Sequence, residues 1–420
     1  MKEISGGVVA AKGFKAAGIR VGVKASPVAD GNQPIAPCSG AGKKDLCMVL
    51  SEVECAVAGM FTTNRVKAAP VLLSREHIVN GRAYGVVANS GNANACTPKG
   101  REHAAEMCRA AAEATGLTTV DFAVCSTGVI GQELNVKAIV TGMPQLVQAL
   151  SSEASASDDA ARAIMTTDTV KKEVAVETLV GGKTVRLGGI AKGSGMIHPN
   201  MGTMLSFVTT DCAISPEMLN KLVHEVVPRT FNRVTVDGDT STNDTFLVFA
   251  NGMAGNNYVR ESGADYEALK EALMYVCTQL AREMAGDGEG ASRLVTCTVK
   301  GAETEKKAET LSRSVVGSSL VKAAMFGADA NWGRIMCAMG YSGEEFDPAT
   351  VDISYKSEAG EIAVCAMGTT LDFDEDKAKE ILTQKEVVID ITLREGVESA
   401  TCWGCDLTYE YVKINGDYRS

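Results

Sequence analysis

Apolar residues recur every three or four positions in several stretches of the chain, which predicts helices that bury one face. The longest such stretch is residues 265–285, whose apolar stripe consists of Leu269, Leu273, Val276, Leu280 and Met284. A serine and a proline at 215 and 216 predict the start of a second helix. Thr97 as the N-cap and Pro98 as the first helical residue predict another, which continues through 99–115 and is closed by Gly116. A polar loop at 151–159 precedes a predicted helix at 159–165.

Short apolar runs between these stretches predict strands. Residues 86–88, 122–124 and 204–208 are continuous apolar or nearly apolar runs, which predict buried strands. Residues 387–393 alternate between apolar and polar, and residues 351–367 fit a hairpin that turns at 358–360. The chain therefore mixes helices and strands, with a C-terminal region that is rich in sheet.

Glycine and proline are concentrated in residues 191–207, immediately before the predicted strand at 204–208. Glycine adopts positive φ without steric cost, and Pro199 restricts His198, so a sharp bend is favoured here. Thr203 follows Gly202, and a hydroxyl beside a strained carbonyl can attack it and open the backbone. From these residues alone, an ordinary glycine-rich loop with Thr203 at the start of a strand remains the alternative.

Two further segments offer groups for chemistry. The strand at 122–124 runs into Ser126, Thr127 and Gly128, where a hydroxyl and an adjacent N–H suit the stabilisation of an oxyanion, although such turns also occur without function. The long helix ends in an acidic stretch that contains Asp287 and Glu289. Carboxylates are unfavourable at the negative end of a helix, which indicates a cationic partner.

Composition narrows the classes of function. The 420 residues carry a net charge of -11 with a pI near 5.1, which argues against nucleic acid or an anionic membrane as a partner. The sequence shows neither an apolar span nor a signal peptide, so we expect a cytoplasmic protein. Thirteen cysteines spread along the chain favour reduced thiols, including Cys402 and Cys405.

Metal chemistry is not predicted. Residues 237–248 begin like a calcium loop but place Val248 where the closing glutamate belongs, so a hydrogen-bonded turn is the better interpretation. The chain has four histidines, of which His198 lies near Thr203, and we assign it a structural role.

The segment 192–207 resembles the self-cleavage segment of the ornithine acetyltransferase family, the bifunctional proteins of arginine biosynthesis. Position 202 is Gly where many members have Ala, and position 420 is Ser where Thr is common. Both changes are small. The resemblance extends over nearly the whole chain, through motifs at 89–95, 125–131, 166–169, 235–244, 331–334 and 411–420.

The resemblance implies an α+β fold, a layered αββα sandwich of the self-cleaving N-terminal-nucleophile-like type with a second, smaller α/β domain. It also implies cleavage between Gly202 and Thr203, giving an alpha chain of residues 1–202 and a beta chain of residues 203–420. The two chains would form one folded unit, and two of each would associate into a heterotetramer.

The resemblance further implies the site residues. Thr203 would be the nucleophile, and Thr127 and Gly128 would stabilise the oxyanion. The residues that would bind substrate are Thr166 (with Thr167 as the nearby alternative), Lys192, Thr203, Glu289, Asn415 and Ser420. From the chemistry of the substrate, we pair Lys192 with the α-carboxylate and Glu289 with the side-chain ammonium.

The implied reaction transfers acetyl from N-acetylornithine to glutamate by a ping-pong mechanism through acetyl-Thr203. It needs no metal or organic cofactor, although acetyl-CoA is a possible second acetyl donor. The alternative is a self-cleaved aminopeptidase or amidase that passes the acyl group to water. Use of acetyl-CoA is not predictable from these motifs.

Overall fold

The computed structural model describes residues 1–23, 42–198 and 204–417. Within these ranges the strands are β1 (Lys2–Ile4), β2 (Phe14–Ile19), β3 (Leu46–Phe61), β4 (Arg82–Asn92), β5 (Phe122–Val129), β6 (Lys172–Val180), β7 (Lys183–Lys192), β8 (Leu205–Thr210), β9 (Thr245–Ala250), β10 (Leu294–Ala302), β11 (Asp352–Ser357), β12 (Gly360–Ala366), β13 (Thr369–Thr370), β14 (Glu386–Thr392) and β15 (Glu398–Cys405).

The helices in the same ranges are α1 (Ala69–His77), α2 (Gly100–Thr115), α3 (Val136–Gln148), α4 (Ala154–Ile164), α5 (Pro216–Val226), α6 (Ala264–Gly286), α7 (Glu305–Gly317), α8 (Ser319–Gly327), α9 (Trp332–Gly340), α10 (Glu375–Leu382) and α11 (Tyr409–Asp417). The long amphipathic helix and the helix after Ser215 are confirmed as α6 and α5. In α5, Ser215 Oγ accepts the N–H of Met218 at 3.2 Å, as an N-cap should.

A long strand, β3, joins two layers of sheet. Its first part, 46–50, pairs with β2 and β4, and its second part, 56–61, pairs with β9. One layer thus contains β2, β4 and β5, and the other contains β1, β6, β7, β8 and β9. Phe207 and Phe249 from the second layer share a buried apolar cluster with Val49 and Val86 from the first, so the two layers pack face to face.

Helices cover the outer face of each layer. Apolar residues of α5 and α6 form one cluster with β6, β8 and β9, and those of α2 and α3 form another with β4 and β5. The order of layers is helix, sheet, sheet, helix. This confirms the predicted αββα sandwich.

The second domain is a six-stranded sheet in the order β13, β12, β11, β14, β10, β15, with α7 to α10 packed on it around a separate core. The predicted hairpin is confirmed as β11 and β12. Cys402 and Cys405 lie buried on β15 as free thiols, as predicted.

Two predicted helix starts were wrong. The helix expected at 159–165 begins at Ala154, because Ala156, Ala160 and Ala161 pack into the core between the sheets and outweigh the polar serines and aspartates around them. The helix expected to start at Pro98 begins at Gly100, because Gly100 N–H donates to Thr97 O and closes a turn before the helix.

Candidate active site

The predicted site residues gather where β7, β8 and β9 come into register. Lys192 at the end of β7 lies opposite Leu205 at the start of β8, which in turn lies opposite Thr245 at the start of β9. Met204 N–H donates to Asp244 Oδ1 at 3.0 Å, and Thr245 N–H donates to Met204 O at 3.0 Å. This edge of the sheet is therefore where the chain enters β8.

Thr203 and Gly202 lie outside the described residues, as does Ser420. Met204, the residue that follows the predicted nucleophile, is 2% exposed. Its partner Asp244 is fully buried, and burial raises the pKa of the Asp244 carboxyl well above its usual range. The neighbourhood of the predicted nucleophile thus contains a carboxyl group that sequence reasoning did not select.

Lys192 reaches from β7 across to β5 in the other layer. Its Nζ donates to Thr127 Oγ1 at 3.1 Å, and both residues are buried. Burial lowers the pKa of Lys192, and the negative charge of Asp168 opposes that effect. Two residues that were predicted for different tasks, substrate binding and oxyanion stabilisation, are therefore in direct contact.

The backbone around Thr127 is rigidly supported. Ser126 Oγ donates to Asn89 Oδ1 at 2.6 Å, and Asn243 Nδ2 donates to Ser126 O at 2.8 Å. Gly128 has φ 133°, and a Cβ there would lie 2.3 Å from the carbonyl carbon of Gly91. The position after Thr127 therefore requires glycine.

Asp168 links Thr166 to the Lys192 segment. Thr166 N–H donates to Asp168 Oδ2 at 3.0 Å, and Gly193 N–H donates to Asp168 Oδ1 at 2.7 Å. Burial alone raises the pKa of Asp168, but the charges of Lys172 and Lys192 outweigh burial and hold that pKa well below its usual range. Thr167, the alternative to Thr166, has no described contact that sets it above Thr166.

Asp287 has the cationic partner that the acidic helix end indicated. Lys172 Nζ lies 2.6 Å from Asp287 Oδ2 and 2.8 Å from Asp168 Oδ1, and its side chain is fully buried. Nothing in the sequence around Lys172 marks it as special, because its partner lies 115 positions away. The sequence predicted a cationic partner for this helix end, and the structure identifies that partner as Lys172.

Glu289 lies on the other side of the same segment. Its N–H donates to Ser194 O at 2.9 Å, and a Cβ on Gly195 would lie 2.5 Å from the Glu289 carboxylate. Asn415 Nδ2 donates to Glu289 Oε2 at 2.7 Å from α11. The described part of the C-terminal tail, α11, therefore contacts the site and brings Asn415 to Glu289.

The residues that lead to position 199 are held by Asp237. Its carboxylate accepts the N–H of Met196 at 2.7 Å and of Ile197 at 2.9 Å, as well as the N–H of Asp239. This is the hydrogen-bonded turn that was predicted in place of a calcium loop. His198 Nδ1 lies 3.1 Å from Thr235 Oγ1, and burial, followed by the charge of Arg313, lowers the His198 pKa.

Among residues 1–23, 42–198 and 204–417, no group of three or more His, Cys, Asp and Glu side chains is arranged to hold a metal ion. None of the helices in these ranges is both long and apolar enough to cross a bilayer.

Comparison with known proteins identifies the family, since residues 35–420 match the ArgJ family. The chain belongs to the ArgJ family. A relative from Symbiobacterium thermophilum, named arginine biosynthesis bifunctional protein ArgJ, is 51% identical over 421 residues that cover 100% of each chain. A protein from Methanocaldococcus jannaschii, named glutamate N-acetyltransferase, is 46% identical over 428 residues, again 100% of each chain.

Solved ArgJ-related structures are also similar. The crystal structure of arginine biosynthesis bifunctional protein ArgJ from Bacillus halodurans is 42% identical and covers 50% of this chain and 98% of its own, with a TM-score of 0.48. Ornithine acetyltransferase from Mycobacterium tuberculosis, solved in complex with ornithine, is 35% identical over 47% of this chain and 96% of its own, with a TM-score of 0.40.

Membership of the ArgJ family confirms the resemblance drawn from the motifs. It also confirms the predicted class of enzyme, an acyltransferase of arginine biosynthesis. The structure brings Thr127, Gly128, Thr166, Lys192, Glu289 and Asn415 to one region. The roles assigned to these residues, and to Thr203 and Ser420, remain predictions.

Proposed function

We propose that the protein transfers acetyl from N-acetylornithine to glutamate through an acetyl ester on Thr203. The observation that carries the proposal is the hydrogen bond from Lys192 Nζ to Thr127 Oγ1 at the edge where the chain enters β8. An ammonium, a hydroxyl and Leu205, two residues after Thr203, are thereby assembled in a buried setting. The relative from Methanocaldococcus jannaschii that is named glutamate N-acetyltransferase supports the choice of acceptor.

Maturation is part of the proposal. The hydroxyl of Thr203 attacks the carbonyl carbon of Gly202, the C–N bond between them breaks, and water opens the resulting ester. Residues 1–202 and 203–420 remain together as one folded unit. The new α-amino group of Thr203, with an ordinary pKa of about 8, is then available as a general base.

In the first half of the reaction, Thr203 Oγ attacks the acetyl carbonyl carbon and its proton passes to the α-amino group. Thr127 O–H and Gly128 N–H stabilise the oxyanion of the tetrahedral intermediate. The bond from carbon to the α-nitrogen of ornithine breaks, and that nitrogen takes the proton. Ornithine leaves, and the acetyl group remains as an ester on Thr203.

In the second half, the neutral amine of glutamate attacks the ester carbonyl and the C–O bond breaks. The proton from the amine returns to Thr203 Oγ, and N-acetylglutamate leaves.

Glu289, held by Asn415, pairs with the side-chain ammonium of ornithine. An ammonium has three N–H donors, so Lys192 can bind a substrate carboxylate while it donates to Thr127. The reaction needs no metal or organic cofactor.

The test is to trap the ester. The purified protein is incubated with N-acetylornithine alone, and the mass of the fragment that begins at Thr203 is measured by mass spectrometry. We expect a gain of one acetyl group, its loss on addition of glutamate, and the formation of N-acetylglutamate. Thr203→Ala should show neither the gain nor the product.

The same experiment separates the amidase alternative. If the acetyl group is released to water at the same rate with and without glutamate, the enzyme is a hydrolase and the proposed acceptor is wrong. Replacing N-acetylornithine by acetyl-CoA in the same assay decides whether the protein is bifunctional. Whether two alpha and two beta chains associate is measured on the same sample by light scattering.

A further inference from the structure

Three charged side chains form a buried cluster beneath the site, which we call the charge triad: Asp168, Lys172 and Asp287. Lys172 is fully buried and pairs with both carboxylates, at 2.8 Å to Asp168 and 2.6 Å to Asp287. The triad connects the segment after α4, the start of β6 and the end of α6. Breaking such a buried arrangement is costly, so its members are strongly constrained.

The two carboxylates accept hydrogen bonds from different parts of the backbone. Asp287 accepts the N–H groups of Thr169 and Val170 at 3.1 and 3.3 Å, and these neighbours carry no predicted role. Asp168 instead accepts the N–H groups of Thr166 and Gly193. Asp168 is therefore the member of the triad that contacts the site residue Thr166 and Gly193, the residue that follows Lys192.

The charges of the triad do not cancel. Two carboxylates and one ammonium leave one net negative charge among buried side chains, and the ammonium of Lys192, on the residue before Gly193, is a positive charge that can offset it. Lys192 is itself 2% exposed. The charged groups that act on it are Asp168, Lys172, Asp244 and Glu289, and Asp168 is the largest influence opposing the burial that lowers its pKa.

The charge on Lys192 decides what Thr127 can do. An ammonium can only donate, so Thr127 Oγ1 must accept from it, and the hydroxyl hydrogen of Thr127 is free to point at the reacting carbonyl. A neutral amine has a lone pair and can accept that hydrogen instead. Loss of the charge would therefore remove one donor from the oxyanion.

We propose that Asp168 is a positioning residue that keeps Lys192 charged beside Thr127 and so fixes the direction in which the Thr127 hydroxyl donates. This inference rests on the proposed acetyl transfer. In this proposal Asp168 acts through Lys192. The same carboxylate holds Gly193 and thereby the end of β7.

The test compares two variants that change the charge near Lys192 in opposite directions. Asp168→Asn keeps an oxygen acceptor but removes the negative charge. On the alkaline side of the pH profile of kcat, we expect the decline to begin at a pH lower by about one unit or more. Lys172→Gln removes a positive charge, so the alkaline decline of kcat should begin at a higher pH. A structural defect alone would lower kcat in both variants without opposite shifts.

Asp211→Asn is the matched control. Asp211 is also fully buried and also accepts two backbone N–H groups, from Lys12 and Arg186, but it follows the far end of β8. We expect its pH profile to match the wild type. If the alkaline decline of kcat moves equally in Asp211→Asn and Asp168→Asn, or fails to move in Asp168→Asn, the inference is wrong.

A measurement on the wild type covers the case in which a triad variant does not fold. With lysines labelled at Cε by carbon-13, the Lys192 signal is assigned by its absence from Lys192→Arg, and its shift is followed against pH. We expect a charged Lys192 at neutral pH, and a neutral one would overturn the inference. This readout does not need acetyl transfer, whereas a wild type without transfer activity would overturn the proposed function.

Discussion

The ammonium of Lys192 donates a hydrogen bond to the hydroxyl of Thr127 over 3.1 Å, between strands that belong to different layers of the sandwich. The two residues are 65 positions apart in the chain. Each is nearly inaccessible to solvent, and the contact links β7 to β5 at the site. The Thr127 oxygen accepts a hydrogen bond from Lys192, so the Thr127 hydroxyl can donate its hydrogen to a substrate carbonyl placed beside it.

Removing the Thr127 hydroxyl should slow the reaction without unfolding the protein. In Thr127→Val the shape is kept, Lys192 loses its acceptor, and one oxyanion donor is gone, so kcat should fall by about 100- to 1000-fold. Thr127→Ser keeps the hydroxyl and should retain most of the activity. Steady-state kinetics on both variants provide the check, and equal kcat values would remove Thr127 from the oxyanion site.

Much of the fold was predictable because its signals are local. The stripe from Leu269 to Met284 reports a long helix, and the pair of Ser215 and Pro216 reports a helix start, and each signal depends on residues within a few turns. The start of α4 was not predictable in this way. Its serines and aspartates favour a loop, and the alanines that decide the matter act through contacts with distant strands.

The site shows the same difference between local signals, which are predictable, and long-range contacts, which are not. Thr127 and Lys192 were found through motifs, but their contact was not, because no local rule places β5 opposite β7. Lys172 carries no motif of its own, and its role appears once Asp287 is seen beside it. Asp244 lies within the motif at 235–244, but nothing in the sequence predicts that its buried carboxyl accepts the N–H of Met204.

Cleavage before Thr203 should be visible on a denaturing gel. The wild type is expected to give fragments 1–202 and 203–420, whereas Thr203→Ala stays intact because it lacks the attacking hydroxyl. Thr203→Ser should still cleave, and Thr203→Val should not. N-terminal sequencing of the second fragment is expected to read Thr-Met-Leu-Ser. A mature wild type that remains a single chain would contradict the mechanism at its first step.

Glu289 should select donors that carry a side-chain ammonium. Loss of a desolvated charge pair costs about 2 to 5 kcal/mol, so Glu289→Gln should raise the KM for N-acetylornithine by well over tenfold. Glutamine keeps an oxygen that can accept the hydrogen bond from Asn415, so the docked tail need not be lost.

N-acetylnorvaline is the matched donor for this experiment, because it has the same α-carboxylate and carbon chain but no side-chain ammonium. Its KM should be nearly the same in the wild type and in Glu289→Gln. A parallel rise for both donors would show that the substitution damages the site in general and does not remove an ammonium partner.

Acid should weaken the link between the two domains through Glu305. This residue opens α7 in the second domain, and its carboxylate accepts hydrogen bonds from Arg229 at 2.7 Å and Arg233 at 2.7 Å in the first. The hydrogen bond from Arg229 is the largest influence on the pKa of Glu305, and together the two arginines lower that pKa to about 2. The unfolded value is about 4.3.

Because the folded pKa is the lower one, the carboxylate stabilises the folded state above about pH 4.3, and this contribution disappears as the pH falls toward about 2. The side chain is 34% exposed, so solvent screening reduces the contribution at neutral pH to about 1 kcal/mol. Glu305→Gln should therefore be less stable than the wild type in urea unfolding at pH 7, and the difference should shrink progressively below about pH 4.3. A difference that stays constant across this range would mean that the loss comes from packing and not from the charge.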